Sequence, residues 1–212
     1  MIYLIGGAPR VGKSIVAKSI AQNKGVEPIS TDDIQSHFSK TISEERRRRL
    51  FPLPGFSGDS SENRLTPDER VQLQNISAES LKAEVENAIN EAISDHRNLV
   101  IEGIHLLPGI VCELIDKHGK NQIVVTFVGS IDIERIMSGM EKNTNPHDWL
   151  KDANKVVRRQ VAEFVVAFSQ YVHEESERNV LPYFERTDAF ESDMRRVTES
   201  LLKLGEGKLS MK

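Results

Sequence analysis

The chain has 212 residues, 38% of them hydrophobic, and its 28 lysines and arginines nearly balance 32 aspartates and glutamates, for a net charge of −4. That is enough apolar chain for one domain with a real core, which excludes an intrinsically disordered protein, and it supplies no long-range field for nucleic acid or a membrane surface. The single cysteine, Cys112, excludes an intrachain disulfide framework or a cysteine-rich zinc site; with no basic leader and no apolar run of spanning length, the expected location is the cytoplasm.

Short apolar runs alternate with longer stretches of helical period, the pattern of an α/β domain built on a mainly parallel sheet. Five strands are predicted, at residues 2–5, 28–30, 99–102, 123–128 and 180–184. Thr66-Pro67-Asp68-Glu69 supplies an N-cap threonine, a proline in the first turn and a glutamate at the third position. This capping box opens a long helix with Leu81, Val85, Ile89 and Ile93 on one face. Asn145-Pro146-His147-Asp148 is read as the start of a helix carrying Val157, Val161, Phe164 and Phe168. Asp188-Ala189-Phe190-Glu191 starts a last helix, with Met194, Val197 and Leu201, which Gly205 stops. The domain then covers residues 1–204, and 205–212 form a loose tail. Two segments break the alternation: residues 41–75, which hold four consecutive arginines, Arg46 to Arg49, and a proline- and glycine-containing run; and the polar segment 138–160. The first reads as a substrate-side excursion and the second as a lid.

Immediately after the first strand stands Gly7-Ala8-Pro9-Arg10-Val11-Gly12-Lys13-Ser14, which matches G-x-x-x-x-G-K-[ST] at every fixed position and opens a helix at Ile15. The chemistry requires this spacing. Glycines let the backbone N–H groups converge on phosphates, the helix start adds its positive end, Lys13 reaches the outer phosphates, and Ser14 ligates Mg²⁺. Residues 7 to 15 are therefore the expected ATP site. Pro9 and the Lys-Ser ending argue against a nicotinamide or flavin turn.

The second strand ends in Ser30-Thr31-Asp32-Asp33, which a parallel sheet places at its carboxyl edge beside the phosphate loop. A carboxylate there can orient an acceptor hydroxyl and take its proton, and Asp32 is preferred over Asp33; the plainer reading is that Thr31 or Asp32 caps the following helix. The third strand ends in Glu102, a carboxylate placed to hold the Mg²⁺ shell or the acceptor, or else to cap a turn. His105, three residues on, is read as a structural loop histidine in preference to one that touches the acceptor. Phosphoryl transfer spreads charge over equatorial oxygens, so arginines should close over the nucleotide. Arg158 and Arg159 are the candidates beyond the lid segment, and Arg135 lies just after the fourth strand. Each could equally belong to a solvated helix face. Arg46 to Arg49 either meet an anionic acceptor or form a solvated helix after Thr41-x-x-Glu44.

Three strings carry a resemblance. Ile5-Gly6-Gly7-Ala8 through Lys13-Ser14, then Ser30-Thr31-Asp32, then Ile101-Glu102-Gly103-Ile104-His105-Leu106-Leu107-Pro108-Gly109 resemble the signatures of 2-phosphoglycerate kinase and its relatives. The resemblance implies a P-loop NTPase three-layer sandwich of the nucleoside-monophosphate-kinase type. It also implies transfer of the γ-phosphate of MgATP to a hydroxyl of a small, anionic metabolite. Where the family usually has an arginine three residues after the aspartate, this chain has Gln35. The alternatives are a zeta-toxin-like nucleotide-sugar kinase, a polynucleotide kinase, or an ATP-binding switch that hydrolyses slowly. The scarcity of aromatic residues, 6% of the chain, and the acidic balance disfavour a strand-binding groove.

Overall fold

In a computed structural model of the chain, residues 1–56, 65–142, 148 and 150–209 are described. Tyr3, Leu4 and Ile5 are buried on both sides of one strand, as happens only where helices cover both faces of a sheet. This strand, β1 (Ile2–Gly7), is the centre of a five-stranded, all-parallel sheet with β2 (Pro28–Ser30), β3 (Leu99–Glu102), β4 (Ile123–Gly129) and β5 (Tyr183–Glu185), in the order β2-β3-β1-β4-β5. The connecting helices are α1 (Lys13–Lys24), α2 (Thr31–Ser39), α3 (Glu44–Leu50), α4 (Pro67–Ser94), α5 (Pro108–His118), α6 (Ile133–Lys142), α7 (Lys155–Arg178) and α8 (Phe190–Leu209). Helices α1 and α8 pack on each other and on the sheet, while α4 and α5 pack on α7, which lies against β1 and β4. The result is the expected three-layer α/β sandwich.

Register decides which chain ends meet. Glu102 pairs with Ile5 on one side and Ser30 on the other, and Gly7 pairs with Val128. The carboxyl ends of β1, β2 and β3 therefore form one edge, and the crevice opens where the chain leaves β1 with a neighbour on each side.

The long helix α4 starts as read: the Thr66 hydroxyl accepts from Glu69 N–H at 3.2 Å, and the Glu69 carboxylate accepts from Thr66 N–H at 2.7 Å. Other boundaries differ. Helix α2 is capped by Ser30, whose hydroxyl accepts from Asp32 N–H, so Thr31 and Asp32 lie inside the first turn. Helix α3 is capped by Ser43 rather than Thr41. The helix expected from Asn145 starts at Lys155, because the Asn154 side chain accepts from Val157 N–H; residues 145–147 lie outside the described set. The fifth strand starts at Tyr183 rather than Val180, since α7 runs to Arg178 and its cap consumes the next residues. Gly205 does not stop α8, which continues to Leu209. A Cβ at Gly205 would stand 2.3 Å from the Tyr3 hydroxyl, so glycine here lets the helix lie against β1, and the expected loose tail is helical through residue 209. Residues 210–212, the rest of that tail, lie outside the described set.

Candidate active site

The loop of residues 7–14 is fixed from both ends. Ala8 N–H donates to the Val128 carbonyl at 3.2 Å, and Gly12, with φ of 104°, turns the chain into α1. A Cβ at Gly12 would come within 2.3 Å of Met194 Sδ, so α8 packs directly against the loop. Helix α1 has neither a side-chain cap nor an acidic residue in its first turn. Its N–H groups and positive end are thus left for an anion held by the loop.

Lys13 is almost completely buried, and its Nζ donates to the Ala8 carbonyl at 2.5 Å. Burial lowers its pKa, and the nearby Glu102 and Asp32 carboxylates oppose the shift. The Ser14 hydroxyl donates to Glu102 Oε1 at 2.8 Å, joining the loop to the end of β3. A hydroxyl beside a carboxylate suits a hard divalent cation that takes most of its ligands from phosphate and water. Among the described residues no group of three or more histidine, cysteine or carboxylate side chains is placed to hold a metal ion.

The end of β3 meets the start of α2. Gly103 has φ of 154°, and a Cβ there would stand 1.7 Å from Thr31 Oγ1, so this crossing admits only glycine. Behind it lies His105, 3% exposed, with Nδ1 2.9 Å from Thr31 Oγ1 and 3.7 Å from Asp32 Oδ1. The Asp32 side chain itself is 76% exposed at the mouth of the crevice. Burial lowers the His105 pKa to about 4; Asp32 raises it and Lys13 lowers it further. The imidazole is neutral near pH 7.

The arginines divide. Arg135, in α6, donates from Nε to Asp188 at 2.8 Å and from Nη1 to the Arg186 carbonyl at 2.9 Å, which ties α6 to the loop after β5. Arg158 donates from Nη2 to the Lys151 carbonyl at 3.0 Å, and among the described residues its buried Nε has no partner. Arg159 is half exposed, with Glu163 3.2 Å and Glu134 3.5 Å away. Arg135 reaches the loop only through Arg186, whose side chain donates to both the Arg135 and the Arg10 carbonyls, while the bonds of Arg158 and Arg159 go to Lys151, Glu163 and Glu134. The structure thus gathers Lys13, Ser14, Asp32 and Glu102 around one crevice and holds Arg135, Arg158 and Arg159 on the α6 and α7 side.

Two charged contacts of the loop had no sequence signal. Arg10, itself at φ of 67°, is ion-paired with Asp148, a residue read from the sequence only as part of a helix start. Arg186 is 6% exposed, donates to the Arg10 carbonyl at 3.3 Å and lies 5.1 Å from the centre of the Phe190 ring. A lone arginine after a short strand belongs to no motif.

No family model matches the chain. It is 27% identical to a 2-phosphoglycerate kinase of Methanothermobacter thermautotrophicus over 97% of this chain and 68% of that one. It is 31% identical to a 2-phosphoglycerate kinase of Methanocaldococcus jannaschii over 64% of this chain and 43% of that one. The chain is thus similar to 2-phosphoglycerate kinases over nearly its whole length. A gluconokinase of Sinorhizobium meliloti superposes over 100% of this chain and 96% of its own with a TM-score of 0.50 and 16% identity, a likeness of fold. No described helix is long and apolar enough to cross a membrane.

Proposed function

We propose that the chain transfers the γ-phosphate of ATP to a hydroxyl of a small anionic metabolite, with 2-phosphoglycerate the first acceptor to test. The observation that carries this reading is the Ser14–Glu102 hydrogen bond of 2.8 Å, with the Lys13 ammonium buried beside it and the Asp32 carboxylate open to the same crevice. Residues 7–15 hold the triphosphate through backbone N–H groups and Lys13. Ser14 and Glu102 are the protein's share of a Mg²⁺ shell, and the ion, when bound, offsets charge on the β- and γ-phosphate oxygens.

Asp32 supplies the acceptor chemistry. It orients the hydroxyl and takes its proton as the oxygen bonds to the γ-phosphorus and the bond to the β-phosphate oxygen breaks, leaving ADP and a phosphorylated product. Lys13 meets the charge that grows on the transferred group. Arg135, bonded to Asp188 and the Arg186 carbonyl, joins the nucleotide loop through Arg186, which donates to the Arg10 carbonyl. Arg158 and Arg159 reach the phosphates only if the 138–160 segment changes its bonds on nucleotide binding, which is the expected lid motion.

The reading is supported by the relatives' names and by a crevice in which an exposed carboxylate, a buried ammonium and a hydroxyl bonded to a carboxylate lie together. Its test is ADP release from MgATP with and without 2-phosphoglycerate and a panel of other phosphorylated hydroxy acids and sugar acids. Turnover that rises only with one acceptor, together with a phosphorylated product, is the expected result. Slow hydrolysis indifferent to every acceptor would replace the kinase by the ATP-binding switch.

A further inference from the structure

We propose that His105 is a positioning residue for Asp32: a buried imidazole whose Nδ1–H fixes the first turn of α2 through Thr31 and steers the Asp32 carboxylate toward the phosphate loop. The inference rests on the reading of Asp32 as the base and adds the group that aims it.

Three observations converge on this role. Asp32 sits two residues after the end of a three-residue strand, on a helix turn whose side-chain cap is a single Ser30 hydroxyl. Such a turn frays easily unless something behind it is rigid. Thr31 is completely buried, and its hydroxyl lies 2.9 Å from His105 Nδ1, a bond that joins the turn to the loop after β3. Gly103 is what permits the approach, because any side chain there would overlap the Thr31 hydroxyl. The same nitrogen is 3.7 Å from the Asp32 carboxylate, so one ring atom addresses both residues of the turn.

The protonation state gives this arrangement its use. Burial and the Lys13 ammonium, which faces the ring from α1, both disfavour a charged ring, and the Asp32 carboxylate on α2 is the only one of the three influences that favours it. The ring therefore carries one proton, and the carboxylate beside Nδ1 draws that proton to Nδ1 rather than Nε2. A cationic ring would pair with the carboxylate and blunt it as a base. A neutral Nδ1–H held by Thr31 fixes the turn that carries the carboxylate and leaves the carboxylate's charge intact. Thr31 Oγ1 accepts this hydrogen bond.

The test replaces His105 by Asn, whose amide N–H can stand near the position of Nδ1, and by Gln, whose amide reaches toward Nε2. Thermal unfolding first confirms that each variant is folded. The expected result is a kcat loss of about tenfold or more for His105→Gln with the KM for ATP unchanged, and recovery of most of that loss in His105→Asn, since a small misplacement of a catalytic group costs rate rather than nucleotide affinity. Equal losses in the two folded variants, or a change confined to the KM for ATP, would overturn the proposal. A second measurement needs no turnover. Proton–nitrogen correlation spectra of the wild-type imidazole should show a neutral ring protonated on Nδ1, with a shift that moves in Asp32→Asn. An Nε2-protonated ring, or one indifferent to Asp32→Asn, overturns the proposal even if every variant is inactive. A wild type that turns over no acceptor while its spectrum behaves as expected overturns the kinase reading alone.

Discussion

Arg10 of the phosphate loop and Asp148, ahead of α7, form a two-pronged ion pair, with Arg10 Nη2 donating to Asp148 Oδ1 at 2.6 Å and Nη1 bonding the other carboxylate oxygen. The Asp148 side chain is only 6% exposed, and the same carboxylate accepts from Leu150 N–H, so it braces the approach to α7 as well. Paired, partly buried charges are costly to separate, because each partner is left desolvated without its counter-charge. Arg10→Ala and Asp148→Ala should each lower stability in urea by about 1–3 kcal/mol, and the double variant should lose much less than the sum. Additive losses would show that the pair carries no mutual energy in solution.

Val180 is 91% exposed and β-branched, yet it adopts φ of 53°. The reason is the cap of α7: Leu181 N–H returns to the Ser176 carbonyl at 2.9 Å and Val180 N–H to the Glu177 carbonyl at 3.2 Å, a pattern that needs a left-handed residue between them. Glycine fills the equivalent place after α1, at Gly25, without that strain. Left-handed valine costs about 1–2 kcal/mol, and glycine returns part of the gain as unfolded-state entropy. Val180→Gly should therefore stabilise the protein by roughly 0.5–1 kcal/mol, read as a higher urea midpoint with unchanged m. A lower midpoint would mean that the valine makes a contact worth more than its strain.

The His105 ring also sets a pH dependence. Its native pKa, about 4, lies below the ordinary value of 6.5, chiefly through burial, with Lys13 adding to the fall and Asp32 opposing it. Between these values the unfolded chain binds a proton that the native state refuses, so stability falls as pH drops from 6.5 toward 4 and levels off below. The full effect is about 3 kcal/mol at most. The wild type minus His105→Asn difference in unfolding free energy should change across that window and be flat above pH 7. A difference independent of pH would show that the ring is solvated or charged in the native protein.

The parts of this molecule that were readable from sequence are those held by local rules. The phosphate loop has a fixed string, α4 announces itself by a capping box, and the apolar runs of β1, β3 and β4 can only be buried strands. What escaped reading is decided by tertiary contact. Gly205 reads as a stop, but the helix passes through it because the Tyr3 hydroxyl needs the space. Val180 and His96 terminate helices in the left-handed region where no sequence rule expects them, while Gly25 does so where one does. At the site, Asp32 and Glu102 were legible from their places at strand ends. His105 was not, because its meaning depends on Thr31, 74 positions away, which the chain brings to it past Gly103 only when β2 and β3 pair.

Asp32→Asn is the sharpest test of the acceptor chemistry, and the structure makes it cleaner than the sequence could. The cap of α2 is the Ser30 hydroxyl bonded to the Asp32 backbone N–H, so the Asp32 side chain is free of a capping duty that its replacement could upset. Asparagine matches aspartate in size, and the Thr31–His105 bond that holds the turn does not involve the replaced carboxylate. It cannot take a proton from a hydroxyl. ATP affinity, which rests on residues 7–15, should be unchanged, and acceptor-dependent turnover should fall about 10²-fold or more. Asp33 is the internal control. In the first turn of α2 it points about 100° around the axis from Asp32, and His105 addresses only Asp32. Asp33→Asn should therefore leave turnover within a few-fold of wild type, as expected for a group outside the reacting geometry. Equal losses at the two positions would mean that the charge of the helix start matters rather than a base. Full turnover in Asp32→Asn would move proton transfer to Glu102, the remaining carboxylate of the crevice, whose link to the Ser14 hydroxyl would then have to break during each cycle.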